Sequence, residues 1–502
     1  MKKTILIIFS AVMGVAALLP ACIKDKGNYD LNYGNPVTIR YASYTITGFL
    51  DDTIKVYPIR TFSNPSDTTQ YDHAWFIDGK KISDAPILKY PGKKLGEYKV
   101  YYYMTDRKSG IQFPAGSHVA LKVVSPYAEG WGVLYEKNNE TELAHVRISA
   151  GNYFDYVGLY KEANNGESMG SAGVKIKDYY VTGGRGMMVL QNGGQGPVEL
   201  NAYDLKKKLV TKNIFTSGTP AGFAPVDMAF YPSTDFMVDH NGSVYARVLP
   251  ENALPFASPW TSTPVHIAGG LKVTDIWDVW TTSTGWGLMH DESGNRLVRV
   301  RTYVPNMGNP TIPIDTLPLP ESPYPANYCD LNRMGNWQYV WGGTLKDNWN
   351  YMECLMLLRS PVDNNLYLQT FTFNSDGVVP KISPGTRTLF KGNAVATTGS
   401  KYAAVKSRNY LFFTAGAGNN EIWYYDPETN NPVVKYGTTS SRITAIKSSD
   451  DGNSLGVGLE DGSFLVYDIS TPVLTAGNSK ELHKLTGLGK VVDVVVKGGR
   501  TN

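Results

Sequence analysis

Gly166-Glu167-Ser168-Met169-Gly170 has the spacing that lifts a nucleophilic serine on a strand-to-helix elbow. Its context does not suit that chemistry. Ala163-Asn164-Asn165 precedes it instead of an apolar strand, and no amphipathic helix follows, so a glycine-rich loop is expected. The seven histidines, His73, His118, His145, His240, His266, His290 and His483, are scattered. Without a His-Glu-x-x-His pair or a cysteine–histidine cluster they offer zinc no paired ligands. Asp363-Asn364-Asn365 and Asp450-Asp451-Gly452-Asn453 are rich in oxygen, but Asp, Asn and Gly are also what tight turns require, so turns are expected. Gly183-Gly184-Arg185-Gly186 and Gly193-Gly194-Gln195-Gly196 lack the Lys-Ser/Thr of a phosphate loop and read as turns flanking a strand at Met187–Leu190. No metal or cofactor is expected, and binding is favoured over catalysis.

The residues best suited to recognition are aromatic. Tyr324, Tyr328, Trp337, Tyr339, Trp341, Trp349 and Tyr351 fall within 28 residues. Exposed rings stack on sugar faces or grip peptide side chains, and Trp and Tyr dominate binding hot spots. Trp337, Tyr339 and Trp341 alternate as one face of a strand, which also suits core packing. Trp349 and Tyr351 follow a loop at Lys346-Asp347-Asn348. The candidate ligand contacts are therefore Trp349, Tyr351, Trp337, Trp341, Tyr324 and Tyr328, with Tyr153, Phe154, Tyr156 and Tyr160 a second aromatic group.

The elements that must position these residues are strands. Short alternating or apolar runs bounded by Gly, Asn and Asp recur through a chain with 50 Gly and 33 Tyr, and no stretch sustains helical periodicity. Between residues 36 and 125, Thr53–Ile59 alternates, Tyr71–Ile77 carries Trp75 into an Asp78-Gly79 turn, and Gly96–Asp106 is a long strand, a domain of immunoglobulin-sandwich length. From 126 to 502, hairpin-like units recur: Phe236–Val248, Gly285–Val300, Tyr410–Asp426 and Ser454–Asp468. Spacings of about 40 to 60 residues predict a propeller of six to eight blades, seven being the central expectation. Val491–Val496 is placed to close it. Two stacked sandwiches are the alternative.

The amino terminus has chemistry of its own. Lys2 and Lys3 precede an apolar run from Ile5 to Leu19, and Leu19-Pro20-Ala21-Cys22 ends it, the pattern of a signal peptide (1–21) cleaved before a cysteine to be lipid-modified. Acyl chains contribute about 0.8 kcal/mol per buried CH₂, so an acylated Cys22 would hold the chain on a membrane. Residues 22–35 read as a polar tether. Loss of residues 1–21 removes two of 48 basic residues and leaves 46 against 45 acidic ones, a balance that argues against nucleic acid as a partner. Cys329 and Cys354 could pair, but two cysteines are no disulfide framework.

A tryptophan strand running into Asp78-Gly79, followed by Gly96-x-Tyr98-x-Val100 closing on Asp106, resembles a PKD-type domain, in which Trp75 would fill the core. Together with the lipid cysteine, the Lys24-Asp25-Lys26-Gly27-Asn28-Tyr29-Asp30 leader and the Gly130-Trp131-Gly132-Val133-Leu134-Tyr135 opening, the chain resembles the PKD-like lipoprotein family. That resemblance implies an outer-membrane lipoprotein, exposed at the cell surface or facing the periplasm, accompanying a SusC/SusD-type system that imports glycans or peptides. Its partners would be the transporter and companion lipoproteins. Only Asp25, flanked by Lys24 and Lys26, supplies the acidic signal for surface display. The alternatives are a propeller-type glycan lyase or hydrolase, and a structural lipoprotein without a small ligand.

Overall fold

The computed structural model describes residues 35–498 except 69, 150, 182–183, 232–233, 249–257, 278–285, 302–313, 349–350, 375–380 and 407. Cys22 and Trp349 lie outside the described residues. The chain divides into two compact units, residues 1–124 and 125–502.

The first unit packs a larger sheet over two strand pairs. The sheet runs in the order Thr45–Phe49, Val119–Val124, Gly96–Asp106, Tyr71–Ile77, Lys80–Ser83, with Gln112–Pro114 joined to Gly96–Asp106. The pairs are Val37–Tyr41 with Pro58–Phe62 and Thr53–Val56 with Leu88–Pro91. The single alternating strand expected over Thr53–Ile59 is therefore two strands in two pairs. Pro58, which has no N–H to give a continuing ladder, begins the second. Trp75 is fully buried, as expected, with its indole N–H donating to Ala85 O at 2.8 Å and its ring 4.2 Å from Tyr102. The chain enters this unit through Asn35. Its backbone N–H donates to Asp106 Oδ2 at 3.0 Å, its side-chain amide donates to the carbonyls of Asn64 and Asp67, and Asn64 N–H donates back to Asn35 Oδ1 at 2.7 Å.

The second unit is a seven-sheet propeller. Blade one is Gly130–Lys137, Glu140–Ser149 and Asn152–Val157, completed on its inner edge by Lys490–Lys497 from the far end of the chain. Blades two and three begin with the inner strands Gly173–Val181 and Pro225–Phe230, blades four and five with Val273–Ile276 and Gln338–Asn348, and blades six and seven with Tyr402–Val405 and Ile443–Ser448. Among the described residues six of these sheets have four strands and blade three has three. The expected hairpins and the closing role of Val491–Val496 are all present. Closure matters because a ring leaves no long unpaired sheet edge. Two short helices, Leu159–Ala163 and Thr471–Ala476, leave the chain all-β in class, as expected.

Neighbouring blades are locked by aromatic rings laid on glycines. A Cβ on Gly342 would lie 2.0 Å from the Trp277 ring, one on Gly287 2.2 Å from Tyr231, and one on Gly456 2.6 Å from Trp131. Each pair joins adjacent blades, so the glycine is there for close approach and not for turn geometry. Between blades two and three a polar cluster is sealed in the same way. The Arg247 guanidinium, 2% exposed, meets Glu199 at 2.6 Å and Asp235 at 2.7 Å, and Tyr179 OH donates to Glu199 at 2.7 Å.

Candidate site at the propeller channel

Inner strands of the propeller share an irregularity. An extra residue bulges out between Gly173 and Lys175, Pro225 and Asp227, Val273 and Asp275, Ile443 and Ala445, and at Val492 between Val491 and Asp493. A bulge re-aims the side chain that follows it. The following residues are Lys175, Asp227, Asp275, Ala445 and Asp493. Lys175, Asp227 and Asp275 pair with Leu190, Val238 and His290, near the far ends of the second strands, and Asp493 pairs with Leu134, midway along Gly130–Lys137. They therefore stand at one level of the ring on four consecutive blades, on the face where each inner strand begins.

These groups make contacts across blade boundaries. Lys175 Nζ lies 2.5 Å from Asp227 Oδ1, the pair being 30% and 13% exposed. Tyr339 OH, from blade five, donates to Asp275 Oδ2 at 2.5 Å and accepts the Trp277 indole N–H at 2.8 Å. His290 stacks on Tyr339, ring centroids 4.0 Å apart, and its Nδ1 is 2.6 Å from Thr274 Oγ1. Asp493 Oδ2 accepts the backbone N–H of Ile176 at 3.0 Å. Burial and the charge of Asp227 push the Asp275 carboxyl up to about 6, against the pull of the Tyr339 hydrogen bond and of Lys175 and Lys177. Burial likewise raises Asp493, although Lys175, the Ile176 N–H and Lys447 favour its charge. Tyr339 is held far above its ordinary value by burial and Asp275.

This site was not among the sequence candidates. A signal for it exists: Val226-Asp227-Met228, Thr274-Asp275-Ile276, Val492-Asp493-Val494 and Val174-Lys175-Ile176 repeat a β-branched, charged, aliphatic triplet on four of the seven inner strands.

The aromatic candidates are not brought together. Trp337 packs on the core between blades four and five, with the Arg387 guanidinium 4.0 Å from its ring centre and Tyr367 edge-on at 5.2 Å. Tyr324, half exposed, stacks with Tyr328 at 6.4 Å on the loop that docks along blade five. Glu321 N–H donates to Ile382 O and Asn327 Nδ2 to Arg387 O within that loop's contact. The expectation that Trp337, Tyr339 and Trp341 share one strand face is corrected. Trp337 precedes the strand, and a register shift between Tyr339 and Trp341 turns Trp341 into the opposite core, 5.6 Å from Tyr402. Tyr351 begins the second strand of its blade, at the face remote from the channel acids, and its hydroxyl donates to Glu353 at 3.2 Å. The second aromatic group also disperses: Tyr160 is buried, Tyr153 stacks on His483 at 4.7 Å, Tyr156 meets Tyr127 edge-on, and Phe154 lies under Arg147.

Of the other sequence motifs, residues 193–196 form a turn as expected. Gly184-Arg185-Gly186 opens the strand Gly184–Gln191 instead of a turn, and Lys346-Asp347-Asn348 ends the strand Gln338–Asn348 instead of forming a loop. Ser168 hydrogen-bonds to the Glu140 carboxylate, and Glu167 is tied to Lys207 and Tyr160. Asp363 accepts from Asn365 and Tyr367, and Asp451 accepts from Asn453 and Ser449, so both oxygen-rich segments satisfy themselves as turns. Among the described residues no group of three or more His, Cys, Asp or Glu side chains is placed to hold a metal ion. Cys329 and Cys354 are buried thiols within one core cluster.

Residues 22–173 match the model of the PKD-like family. That match begins at the predicted lipid cysteine and runs through the first unit and the three leading strands of blade one, under a third of the chain. No curated protein matches. Solved structures similar in overall fold include a quinonprotein alcohol dehydrogenase-like protein from Bacteroides thetaiotaomicron VPI-5482, 11% identical, covering 90% of this chain and 96% of that one, with a TM-score of 0.43. AztD from Citrobacter koseri is 11% identical, covers 73% of this chain and 98% of its own, and has a TM-score of 0.38. Likenesses this distant carry nothing about function, and the propeller is read from the chain's own strand pairing. The chain is thus a PKD-like domain followed by a seven-bladed β-propeller.

Proposed function

We propose that this protein is an outer-membrane lipoprotein, acylated on Cys22, that acts at the cell surface as a binding and scaffolding accessory of a SusC/SusD-like system importing glycans or peptides. The observation that carries the binding reading is the rim of blade five. There Trp337, Arg387 and Tyr367 form one contact group on an edge that also exposes Val362 at 92% and Leu389 at 49%. Aromatic rings beside a guanidinium and apolar side chains suit a ligand with both flat apolar faces and polar groups. The anchor is supported by the signal pattern ending at Cys22 and by the family match that starts there.

Binding is preferred over glycan cleavage because the channel acids are already engaged. A glycosidase pair needs one carboxylate free to attack or activate water and one protonated across the scissile bond. Here Lys175 sits on Asp227 and Tyr339 on Asp275. Membrane fractionation of wild type and Cys22→Ala, followed by pull-down of the anchored protein, tests the proposal. Release of the variant into the soluble fraction and co-purification of a barrel transporter with wild type are expected. A variant still firmly attached would remove the anchor, and a wild-type protein that brings down no transporter would remove the uptake role.

A further inference from the structure

The first unit carries twelve Lys and Arg against eight Asp and Glu over residues 35–124, although the mature chain is close to neutral. Its two strand pairs gather part of that surplus on one face. They turn Ile39, Ile54, Val56 and Leu88 into the core and leave Arg40, Lys55, Tyr57, Ile59 and Lys89 exposed, Tyr57 at 56% and Ile59 at 48%. The alternation runs on through Tyr57, which divides Thr53–Val56 from Pro58–Phe62, so the exposed residues of both pairs stand on the same side. Lys55 lies directly opposite Lys89, and Arg40 opposite Ile59. Like charges facing each other across a strand pair destabilise it. The larger sheet balances its exposed charges instead: Lys122 lies 3.3 Å from Glu97, and Arg107 2.8 Å from Asp72. Among the described residues Arg40, Lys55 and Lys89 meet no carboxylate. Asp51, in the turn before Thr53, is held by Lys93 at 2.9 Å.

The mixture of side chains defines the partner. Ammonium and guanidinium groups seek phosphates, and a tyrosine ring and an isoleucine seek the apolar layer beneath them. A lipid surface offers both at once. The chain also leads this face toward one: thirteen peptide steps link Cys22 to Asn35, a reach of at most about 45 Å at full extension, and Asn35 leads straight into Val37–Tyr41, the strand that carries Arg40. We infer that the outer face of the two strand pairs docks on the phosphate-bearing surface of the membrane, with Arg40, Lys55 and Lys89 on lipid phosphates and Tyr57 and Ile59 at headgroup level. Docking relieves the repulsion between Lys55 and Lys89. The choice of a membrane rests on the anchor proposed above, but protein without an acyl chain tests the face by itself, so the two readings fail separately.

The test takes residues 22–502 with Cys22→Ala, so that no acyl chain is present, and sediments the protein with vesicles of phosphatidylcholine alone or of equal parts phosphatidylcholine and phosphatidylglycerol. A basic side chain near an anionic surface is worth about fivefold in partitioning, so the anionic vesicles should bind about a hundredfold more tightly. That preference should shrink as salt rises. Lys55→Ala with Lys89→Ala should lose about thirtyfold. The same pair of changes should leave the melting temperature unchanged or raised, whereas a merely structural role would lower it. Lys99→Ala with Lys122→Ala takes the same charge from the larger sheet and should change binding little. Tyr57→Ser with Ile59→Ser should weaken binding at high salt as well as low. Equal binding to the two kinds of vesicle, or equal losses from the two lysine double variants, would overturn the inference. Tighter binding to heparin than to the anionic vesicles would also overturn it, in favour of an acidic glycan.

Discussion

Between blades two and three, Arg247 lies on Glu199 and Asp235 while Tyr179 donates to Glu199; at the channel, Lys175 lies on Asp227 while Tyr339 donates to Asp275. Each cluster has two carboxylates, one base and one tyrosine. In the first, the planar guanidinium spans both acids and every member is buried, with Asp235 and Glu199 at 0% exposure. In the second, the ammonium is a point charge seated on one acid, and the pair remains 30% and 13% exposed. Placement, more than composition, separates a polar cluster sealed from water from one whose ion pair stays partly exposed. Arg suits the first because its fork serves two carboxylates at once.

The contrast is sharpest when the base is removed. Arg247→Met should destabilise the propeller by about 3–5 kcal/mol, because it strands two buried carboxylates. Lys175→Met should cost about 1 kcal/mol or less, because water can reach Asp227. Chemical denaturation of the two variants checks both, and similar losses would erase the distinction. Acidity gives the next effect. Burial and the neighbouring Glu199 push Asp235 up to about 7 in spite of Arg247. A carboxyl raised on folding contributes stability that is present at low pH and is lost as pH rises through its folded value. The propeller should therefore lose on the order of 1–3 kcal/mol from this group between about pH 4 and pH 8, and Asp235→Asn should flatten that slope. Gly342→Ala, pressing a methyl into the Trp277 ring, should cost about 1–3 kcal/mol and loosen the brace on Asp275, read as quenched or shifted tryptophan emission. The smallest effect belongs to the surface: Lys93→Ala, breaking a pair with Asp51 in which both side chains are about 70% exposed, should move the melting temperature by no more than the measurement error.

Much of the fold could be read before the structure. Asn241-Gly242 and Asp461-Gly462 mark hairpins because only certain residues accept their backbone, and Gly242 and Gly462 do sit at positive φ. Trp75 and the closing Val491–Val496 strand follow from apolar patterning in the same way. The site was harder to see. One extra residue at Val340 puts Trp341 on the other side of its strand, and a two-residue period has no means of announcing such a slip. Lys175, Asp227, Asp275 and Asp493 lie on four different strands, far apart along the chain, and only the ring's curvature brings them to one level. Spacing rules work within an element. Contact across blades is a tertiary fact, visible in sequence only as a triplet repeated on four of the seven inner strands.

Lys490–Lys497 supplies the inner edge of the blade that Gly130–Lys137 opens. The first propeller strand to be synthesised thus waits, with its edge uncovered, until the last has been made. A chaperone that shields nascent strands would have most to do in that interval, and a chain cut short before residue 490 would never leave it.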